Sequence, residues 1–277
     1  MRIDQRTELY GVAGYPIGHS LSPTMHNTAF SKMGLNAVYL AFQARDIKGC
    51  LAGMKALGIK GMSVTIPHKS EVIPLLNHVD DLAERIGAVN TIVNQDGRMI
   101  GFNTDAVGAL RALEEKTELA GKRSLIVGAG GAARAIGFIL KKCGAYPTIA
   151  NRNIQRGKEL SDFLGCPFVP ISEIKNAQAD LLIQTTPVGM YPHIEECILS
   201  EDTLMEGMVV MDVIYNPHET RLLRMARDRG CVTIGGLSMF IQQGAEQFRL
   251  WTGLEPPVEE MTKAVKEVLD QTPDERD

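Results

Sequence analysis

The sequence predicts two α/β domains, and three features of the chain indicate this. Short apolar strands alternate with amphipathic helices over 9–67 and again over 122–215, as in parallel sheets with crossover helices. A glycine-rich turn joins a strand to a helix within 122–145. The 277 residues are enough for two cores of ordinary size, although a single domain is also compatible with that length.

In the N-terminal half, predicted strands and helices alternate in this order: strand 9–16, helix 22–35, strand 37–44, helix 46–58 and strand 59–67. The first helix has Ser22 as its N-cap, Pro23 at its first helical position and Gly34 at its end. Pro67 stops the third strand. This half therefore reads as an α/β domain with a mainly parallel sheet.

The second series runs from about 106 to 238. Its predicted strands are the start of 122–145, then 146–152, 179–187 and 207–215. After residue 239 the chain becomes helical, and apolar residues with a helical period predict a last helix at 257–271. This tail is too short to form a domain, so it must pack on one of the two others, and 272–277 is expected to be a frayed end.

Composition excludes several classes of protein. Hydrophobic residues make up 44% of the chain and charged residues 22%, with a net charge of −4, which gives no basic surface for nucleic acid. The polar start and the lack of a long apolar run predict a cytoplasmic protein with no membrane partner. For the oligomeric state, a monomer and a homodimer are both left open. Five scattered cysteines and six histidines without metal-ligand spacing predict reduced thiols and no metal.

The glycine-rich turn predicts a dinucleotide site. Gly128, Gly130 and Ala133 form a G-x-G-x-x-A pattern directly after an apolar strand. One glycine permits the tight turn, the next lets the backbone approach a pyrophosphate, and a small third residue lets helix and strand pack closely. The pattern also occurs in ordinary βα turns, but its strand-to-helix setting favours dinucleotide binding.

The end of the following strand indicates which dinucleotide binds. An NAD site carries a carboxylate here for the adenosine ribose, whereas this chain has Asn151 and Arg152, with Arg156 about one helical turn further on. Guanidinium groups can bind a phosphate through two parallel hydrogen bonds. Two solvated surface arginines are the alternative, but their position after the glycine turn favours NADP.

Polar residues also cluster among glycines in the first half. Ser20 and Ser22 precede a helix, where two hydroxyls and free N–H groups can face a carboxylate, although simple capping by Ser22 explains the pattern equally well. Thr65 and Lys69 follow a strand, where ligands of parallel sheets bind. Two further glycine-flanked motifs supply Asn90, Asn103, Thr104 and Asp105.

A series of motifs runs along nearly the whole chain: S-L-S-P at 20–23, V-T-x-P-x-K at 64–69, G-A-V-N-T at 87–91, G-x-N-T-D-x-x-G at 101–108, G-A-G-G-A-x-R at 128–134, N-R at 151–152, D-x-x-Y-N-P-x-x-T at 212–220 and G-L-x-M-x-x-x-Q at 236–243. In this order they resemble the shikimate dehydrogenase family. The resemblance implies a substrate domain of 1–105 plus 239–277, a Rossmann-like NADP-binding domain of 106–238, and C-terminal helices that return to the substrate domain.

The resemblance also implies an activity and the residues that carry it. The activity is reversible reduction of 3-dehydroshikimate by NADPH, with Lys69 and Asp105 as the catalytic pair. The implied substrate contacts are Ser20, Ser22 and Tyr215 for the carboxylate, and Thr65, Lys69, Asn90, Asp105 and Gln243 for the ring hydroxyls. The implied cofactor contacts are Gly128, Ala129, Gly130, Gly131, Ala132, Asn151, Arg152, Arg156, Thr186, Met190, Val213, Gly236 and Met239.

Two residues depart from the family pattern. Ser63 replaces an asparagine, which we expect to change a supporting hydrogen bond without affecting the chemistry, and Asn153 replaces a threonine beside Arg152. Three alternatives remain: a shikimate and quinate dehydrogenase of relaxed substrate and cofactor choice, a non-catalytic NADP-binding regulatory protein, and a reductase of another cyclic acid. The regulatory protein would not need Lys69 and Asp105 together with the carboxylate-binding serines.

Overall fold

A computed structural model describes residues 3–271, apart from the side chain of Asn176. The chain forms two compact units, of which the first combines Met1–Thr104 with Gln243–Asp277 and the second is Asp105–Gln242. The first boundary between the units follows residue 104, where the sequence predicted residue 105. The second boundary follows residue 242, four residues beyond the predicted residue 238.

The sheet of the first unit has six strands, which are β1 (Glu8–Gly14), β2 (Ala37–Gln43), β3 (Gly61–Val64), β4 (His78–Val79), β5 (Thr91–Gln95) and β6 (Arg98–Phe102). They lie in the order β2-β1-β3-β5-β6-β4. β1 pairs parallel with β2 and β3, and β4 pairs parallel with β6. β5 runs antiparallel to both of its neighbours. The predicted mainly parallel sheet is confirmed.

The β5–β6 hairpin was not among the predicted elements. Asp96 and Gly97 form its turn with φ values of 51° and 90°. An Asp-Gly pair is the usual sequence for a two-residue turn that needs positive φ at both positions. The hairpin reverses the chain direction, which is why one strand of this sheet is antiparallel to its neighbours.

Three helices lie between these strands: α1 (Ser22–Lys32), α2 (Ile47–Ala56) and α3 (Asp81–Ile86). The predicted N-cap role of Ser22 is wrong, because Leu21 occupies the cap position and Ser22 already lies inside α1. The Ser22 N–H donates to the Oγ of Ser20 at 3.3 Å, so the preceding serine supplies the acceptor.

The C-terminal tail packs on the first unit, as the resemblance implied. It consists of α8 (Gly236–Thr252) and α9 (Val258–Asp270). The boundary between the two units falls inside α8, after Gln242. In α9 the Glu260 carboxylate pairs with Lys32 of α1 at 2.5 Å. In α8 Trp251 covers Gly61 of β3, where a Cβ would lie 2.4 Å from the indole Nε1. The predicted frayed end at 272–277 lies outside the described residues.

The second unit has an all-parallel sheet, whose strands are β7 (Arg123–Val127), β8 (Tyr146–Asn151), β9 (Phe168–Pro170), β10 (Leu181–Gln184), β11 (Val209–Asp212) and β12 (Val232–Ile234). They lie in the order β12-β11-β10-β7-β8-β9, and every pair is parallel. Numbered from the first strand of this unit, that is the 3-2-1-4-5-6 order of dinucleotide-binding folds. β9 is only three residues long and escaped prediction.

Helices flank this sheet: α4 (Asp105–Glu114), α5 (Gly131–Lys142), α6 (Ile154–Leu164) and α7 (Arg221–Asp228). Alternate strand residues belong to two separate core clusters, with Ile126 and Ile183 in one and Leu125 and Leu182 in the other. Burial of both faces explains why these strands are continuous apolar runs. Because these strands are all parallel, the carboxyl ends of β7, β8, β10 and β11 lie at one edge of the sheet, and the predicted cofactor residues follow them.

Candidate active site

The turn after β7 is the first part of the candidate cofactor site. Gly128 has a φ of 122°, and a Cβ there would lie 2.3 Å from the Thr185 Oγ1, so this position needs glycine. No side chain caps the start of α5, and Ala133 is fully buried in the core behind it. The turn thus provides the close backbone approach that a pyrophosphate requires. The predicted neighbours are exposed or half-buried: Ala129, Gly130, Gly131 and Ala132.

The end of β8 presents positive charge. Within the described residues neither the Arg152 nor the Arg156 side chain forms an ion pair, and both are exposed. Asn151 Nδ2 donates to the backbone oxygen of Asn153 at 2.9 Å. The Asn153 Oδ1 accepts the Arg156 N–H at 3.0 Å and so caps α6. These contacts fix the turn that carries both arginines, which fits a bound phosphate.

The other predicted cofactor residues follow β10, β11 and β12. Thr186 lies beside the glycine turn, since its Cγ2 would be 3.2 Å from a Cβ at Gly128. A Cβ at Gly236 would lie 2.4 Å from the Val213 backbone oxygen, so glycine permits this close approach. Met239 is buried in the core, whereas Met190 is exposed and is not placed against the glycine turn by any contact among the described residues.

A buried carboxylate at the end of β11 holds the loop that carries Tyr215. Asp212 Oδ1 accepts the Ile214 N–H at 3.0 Å, and its Oδ2 accepts the Thr220 hydroxyl at 2.7 Å. Burial raises the pKa of the Asp212 carboxyl to about 6, although both hydrogen bonds act in the opposite direction. Tyr215 itself stacks on Phe240 at a centroid distance of 4.3 Å. The sequence motif contained Asp212 and Thr220, but no role was predicted for them.

In the first unit, two backbone hydrogen bonds hold the Lys69 loop against the Asn90 loop. The Val64 N–H donates to the Asn90 oxygen at 2.8 Å, and the Val89 N–H donates to the Lys69 oxygen at 2.7 Å. Thr65 directly follows β3, and both Thr65 and Lys69 are half-buried. Three predicted substrate residues therefore lie on two loops that contact each other.

The Asn90 side chain ties this pair of loops to the segment before α4. Its Nδ2 donates to the Thr104 Oγ1 at 3.0 Å, and its Oδ1 accepts the Thr104 N–H at 2.8 Å. Asn103 donates to the Ala88 oxygen at 2.9 Å. Asp105, the next residue after Thr104, is the first residue of α4 and is only 6% exposed. The backbone that leads to Asp105 is thus held by buried amides.

Buried polar residues also lie beneath the predicted substrate serines. Ser20 is half-buried, whereas Ser22 is 7% exposed and is hydrogen-bonded to the Tyr39 hydroxyl. Tyr39 donates to the Ser63 Oγ at 2.6 Å, and the expectation that Ser63 changes a supporting hydrogen bond stays a prediction. Gln243 in α8 is 9% exposed. Gln247, one helical turn after Gln243, forms several buried contacts that sequence reasoning missed. Its spacing of four residues from Gln243 places both on one face of α8, and this spacing could have indicated Gln247.

Other kinds of site have no support within the described residues. Over 3–271 no group of three His, Cys, Asp or Glu side chains is arranged to hold a metal ion. No helix over the same range is long and apolar enough to cross a membrane. All five cysteines are free thiols.

A six-stranded parallel sheet with a glycine turn and two exposed arginines, joined to a second α/β unit, defines a dinucleotide-dependent dehydrogenase. Sequence families give a finer assignment: residues 12–92 match the shikimate dehydrogenase substrate binding domain, and residues 236–266 match the shikimate 5′-dehydrogenase C-terminal domain. The chain belongs to the shikimate dehydrogenase family.

Full-length relatives agree with this assignment. A shikimate dehydrogenase (NADP(+)) of Moorella thermoacetica is 46% identical and the match covers 97% of this chain and 96% of that protein. A crystal structure of a shikimate dehydrogenase in complex with NADP+ is 43% identical, with a TM-score of 0.93 over 98% of both chains. The Thermus thermophilus enzyme in complex with NADP(H) and shikimate is 37% identical, with a TM-score of 0.87 over 95% of this chain and 100% of that chain.

Proposed function

We propose that this protein catalyses the reversible reduction of 3-dehydroshikimate to shikimate with NADPH, a step of aromatic amino-acid biosynthesis. The observation that carries the proposal is the pair of backbone hydrogen bonds that holds the Lys69 loop against the Asn90 loop. This pair brings a candidate proton donor beside a candidate ligand of ring hydroxyls. Relatives named for the same substrate and for NADP+ support the assignment.

The cofactor side fits NADPH. The backbone at Gly128 would approach the pyrophosphate, since that position excludes a side chain. Arg152 and Arg156 would hold the 2′-phosphate, because their guanidinium groups have no anion of the protein's own among the described residues and phosphate accepts two parallel hydrogen bonds. When bound, NADPH supplies the hydride. Proposed contacts further along the cofactor are Asn151, Thr186, Met190, Val213, Gly236 and Met239.

Lys69 handles the proton in this proposal. In the reduction its Nζ donates a proton to the C3 oxygen of 3-dehydroshikimate, and in the oxidation it takes the proton back from the C3 hydroxyl. Asp105 orients the ammonium group and a neighbouring ring hydroxyl.

The remaining substrate contacts divide by the group they bind. The carboxylate would be held by Ser20, Ser22 and Tyr215. The ring hydroxyls would be held by Thr65, Asn90 and Gln243 together with the catalytic pair. We assign most of these substrate contacts to a domain of 1–105 plus 239–277 and most of the cofactor contacts to a domain of 106–238.

Steady-state assays with shikimate and quinate, each with NADP+ and NAD+, test the function. We expect turnover of shikimate with NADP+ and much weaker turnover of the three other combinations. Comparable turnover of quinate with NAD+ would support the enzyme of relaxed choice, which the NADP-dependent relatives do not favour. Tight NADPH binding without any turnover would support a regulatory protein, and turnover of a different cyclic acid would replace the substrate.

We further propose a cytoplasmic protein that is a monomer or a homodimer. Free thiols at all five cysteines suit a reducing compartment. Sedimentation equilibrium of the purified full chain distinguishes the two oligomeric states, and a tetramer would contradict both.

A further inference from the structure

Buried polar contacts connect helix α8 to the candidate substrate site. Gln247 lies one helical turn after Gln243 and is 2% exposed. Its Nε2 donates to the Thr91 Oγ1 at 3.0 Å and approaches the Asn90 backbone oxygen at 3.4 Å. The Gln247 amide therefore contacts the start of β5, the strand that follows Asn90.

Thr91 carries this constraint to the Asn90 side chain. Because its Oγ1 accepts a proton from Gln247, the single Thr91 hydroxyl proton is left to donate to the Asn90 Oδ1 at 2.8 Å. The same Oδ1 also accepts the Thr104 N–H. Two donors on one oxygen fix which end of the Asn90 amide is oxygen and which is nitrogen.

The other end of the Gln247 amide is also fixed. Its Oε1 accepts the Ser63 hydroxyl at 2.9 Å, and Ser63 in turn accepts the Tyr39 hydroxyl at 2.6 Å. His26 Nε2 approaches the same Oε1 at 3.3 Å. Every donor in the series Tyr39, Ser63, Gln247, Thr91 therefore points one way, toward Asn90. Hydrogen bonds in such a buried chain strengthen one another.

We propose that Gln247 is a positioning residue for the reaction. It acts through the Thr91 hydroxyl to fix the Asn90 amide and, through Asn90, the backbone of Thr104 that leads to Asp105. This inference rests on the proposed function, because Asn90 and Asp105 are proposed substrate contacts. Ser63, at the position where the family has asparagine, completes the support of Gln247 in this chain.

The variant Gln247→Met tests the proposal, because methionine keeps the volume and removes both polar atoms. We expect kcat/KM for shikimate to fall about tenfold, as for the loss of one buried hydrogen bond, while KM for NADP+ stays within about twofold. Thr91→Val should give the same loss, since it removes the hydroxyl that joins Gln247 to Asn90. The double variant should be no worse than either single variant, because residues that act in series are not additive.

Trp251→Phe is the matched control. Trp251 lies one turn after Gln247 in α8, and its Nε1 donates to the backbone oxygen of Ile92, the residue after Thr91, at 3.0 Å. The control removes one bond between the same helix and strand without reaching Asn90. It should lower thermal stability and leave kcat/KM within about twofold of the wild type.

Three results would overturn the proposal: an unchanged kcat/KM in Gln247→Met, an equal loss in Trp251→Phe, or additive losses in the double variant. Calorimetric titration with shikimate separates this failure from failure of the proposed function. A wild-type protein that neither binds nor oxidises shikimate overturns both. A wild-type protein that binds shikimate without turnover removes the function, and the variants are then compared by their Kd for shikimate, with the same expected tenfold difference.

Discussion

Arg152 and Arg156 stand at the end of β8 as exposed cations, with Asn153 between them as the cap of α6. The Asn153 Oδ1 is already used by the Arg156 N–H, so its main effect is on the geometry of the turn. Asparagine and threonine are both good N-caps, which explains how this position tolerates the departure from the family residue. In the proposed function, cofactor choice would then depend on the two guanidinium groups.

Arg152→Ala should raise KM for NADPH by about 10- to 100-fold, as expected for the loss of charged hydrogen bonds to a phosphate. KM for NADH should change little, since NADH has no 2′-phosphate. Steady-state kinetics with both cofactors measures this. Asn153→Thr is the control and should leave the NADPH to NADH ratio nearly unchanged. Equal losses for both cofactors would mean that Arg152 contacts the adenine and not the phosphate.

At the scale of elements, the ends of strands are held by buried polar side chains. Gln184 and Asp212 are paired residues at the ends of β10 and β11, and both are almost fully buried. Gln184 Nε2 donates to the Thr186 oxygen at 3.0 Å, and Asp212 accepts the Thr220 hydroxyl. The loops after β10 and β11, which carry predicted ligand residues, therefore each begin at a buried, hydrogen-bonded side chain. One of these two side chains, Asp212, has a raised pKa.

Asp212→Asn should flatten the pH dependence of stability in the second unit. The folded pKa of about 6 lies above the ordinary value of 3.8, so the native state holds an extra proton between them. Stability from this group is full below the lower value and is lost as pH rises through the upper one, by about 3 kcal/mol in total. Hydrogen exchange of β10 and β11 amides, corrected for intrinsic rates, measures it. An unchanged pH profile in the variant would show that Asp212 is ionised throughout.

The predictability of each element depends on how local its causes are. The turn at Gly128 and the place of the two arginines at the end of β8 could be predicted, because residues close in sequence determine where the strands end. The β5–β6 hairpin also had a local signal in Asp96 and Gly97, which was not used. By contrast, Gln247 and Thr91 are 156 residues apart in sequence, so no local pattern indicates their hydrogen bond.

At the scale of the whole molecule, the two units have separate cores, and each contains a buried titratable group with a shifted pKa. In the first unit, His26 is fully buried among Tyr39, Trp251 and Phe30, and burial lowers its pKa to about 3. A neutral buried histidine stabilises the native state fully above its ordinary value of 6.5. That stability is lost as pH falls from there toward the folded pKa, whereas Asp212 in the second unit gains stability over part of the same range.

Acid should therefore weaken the first unit before the second. Between about pH 7 and about pH 4.5, protection of β1 and β3 amides should fall by about 3 kcal/mol more in the wild type than in His26→Leu. Hydrogen exchange followed by mass spectrometry resolves the two units separately. Equal acid sensitivity of the wild type and the variant would show that His26 takes up a proton without cost.

The most direct test of the proposed chemistry is the rate of NADPH oxidation with 3-dehydroshikimate in Lys69→Ala and the wild type. If Lys69 supplies the proton, kcat should fall about 100-fold or more while KM for 3-dehydroshikimate changes little. A raised KM with an unchanged kcat would contradict this account, because Lys69 would then bind the substrate without taking part in proton transfer.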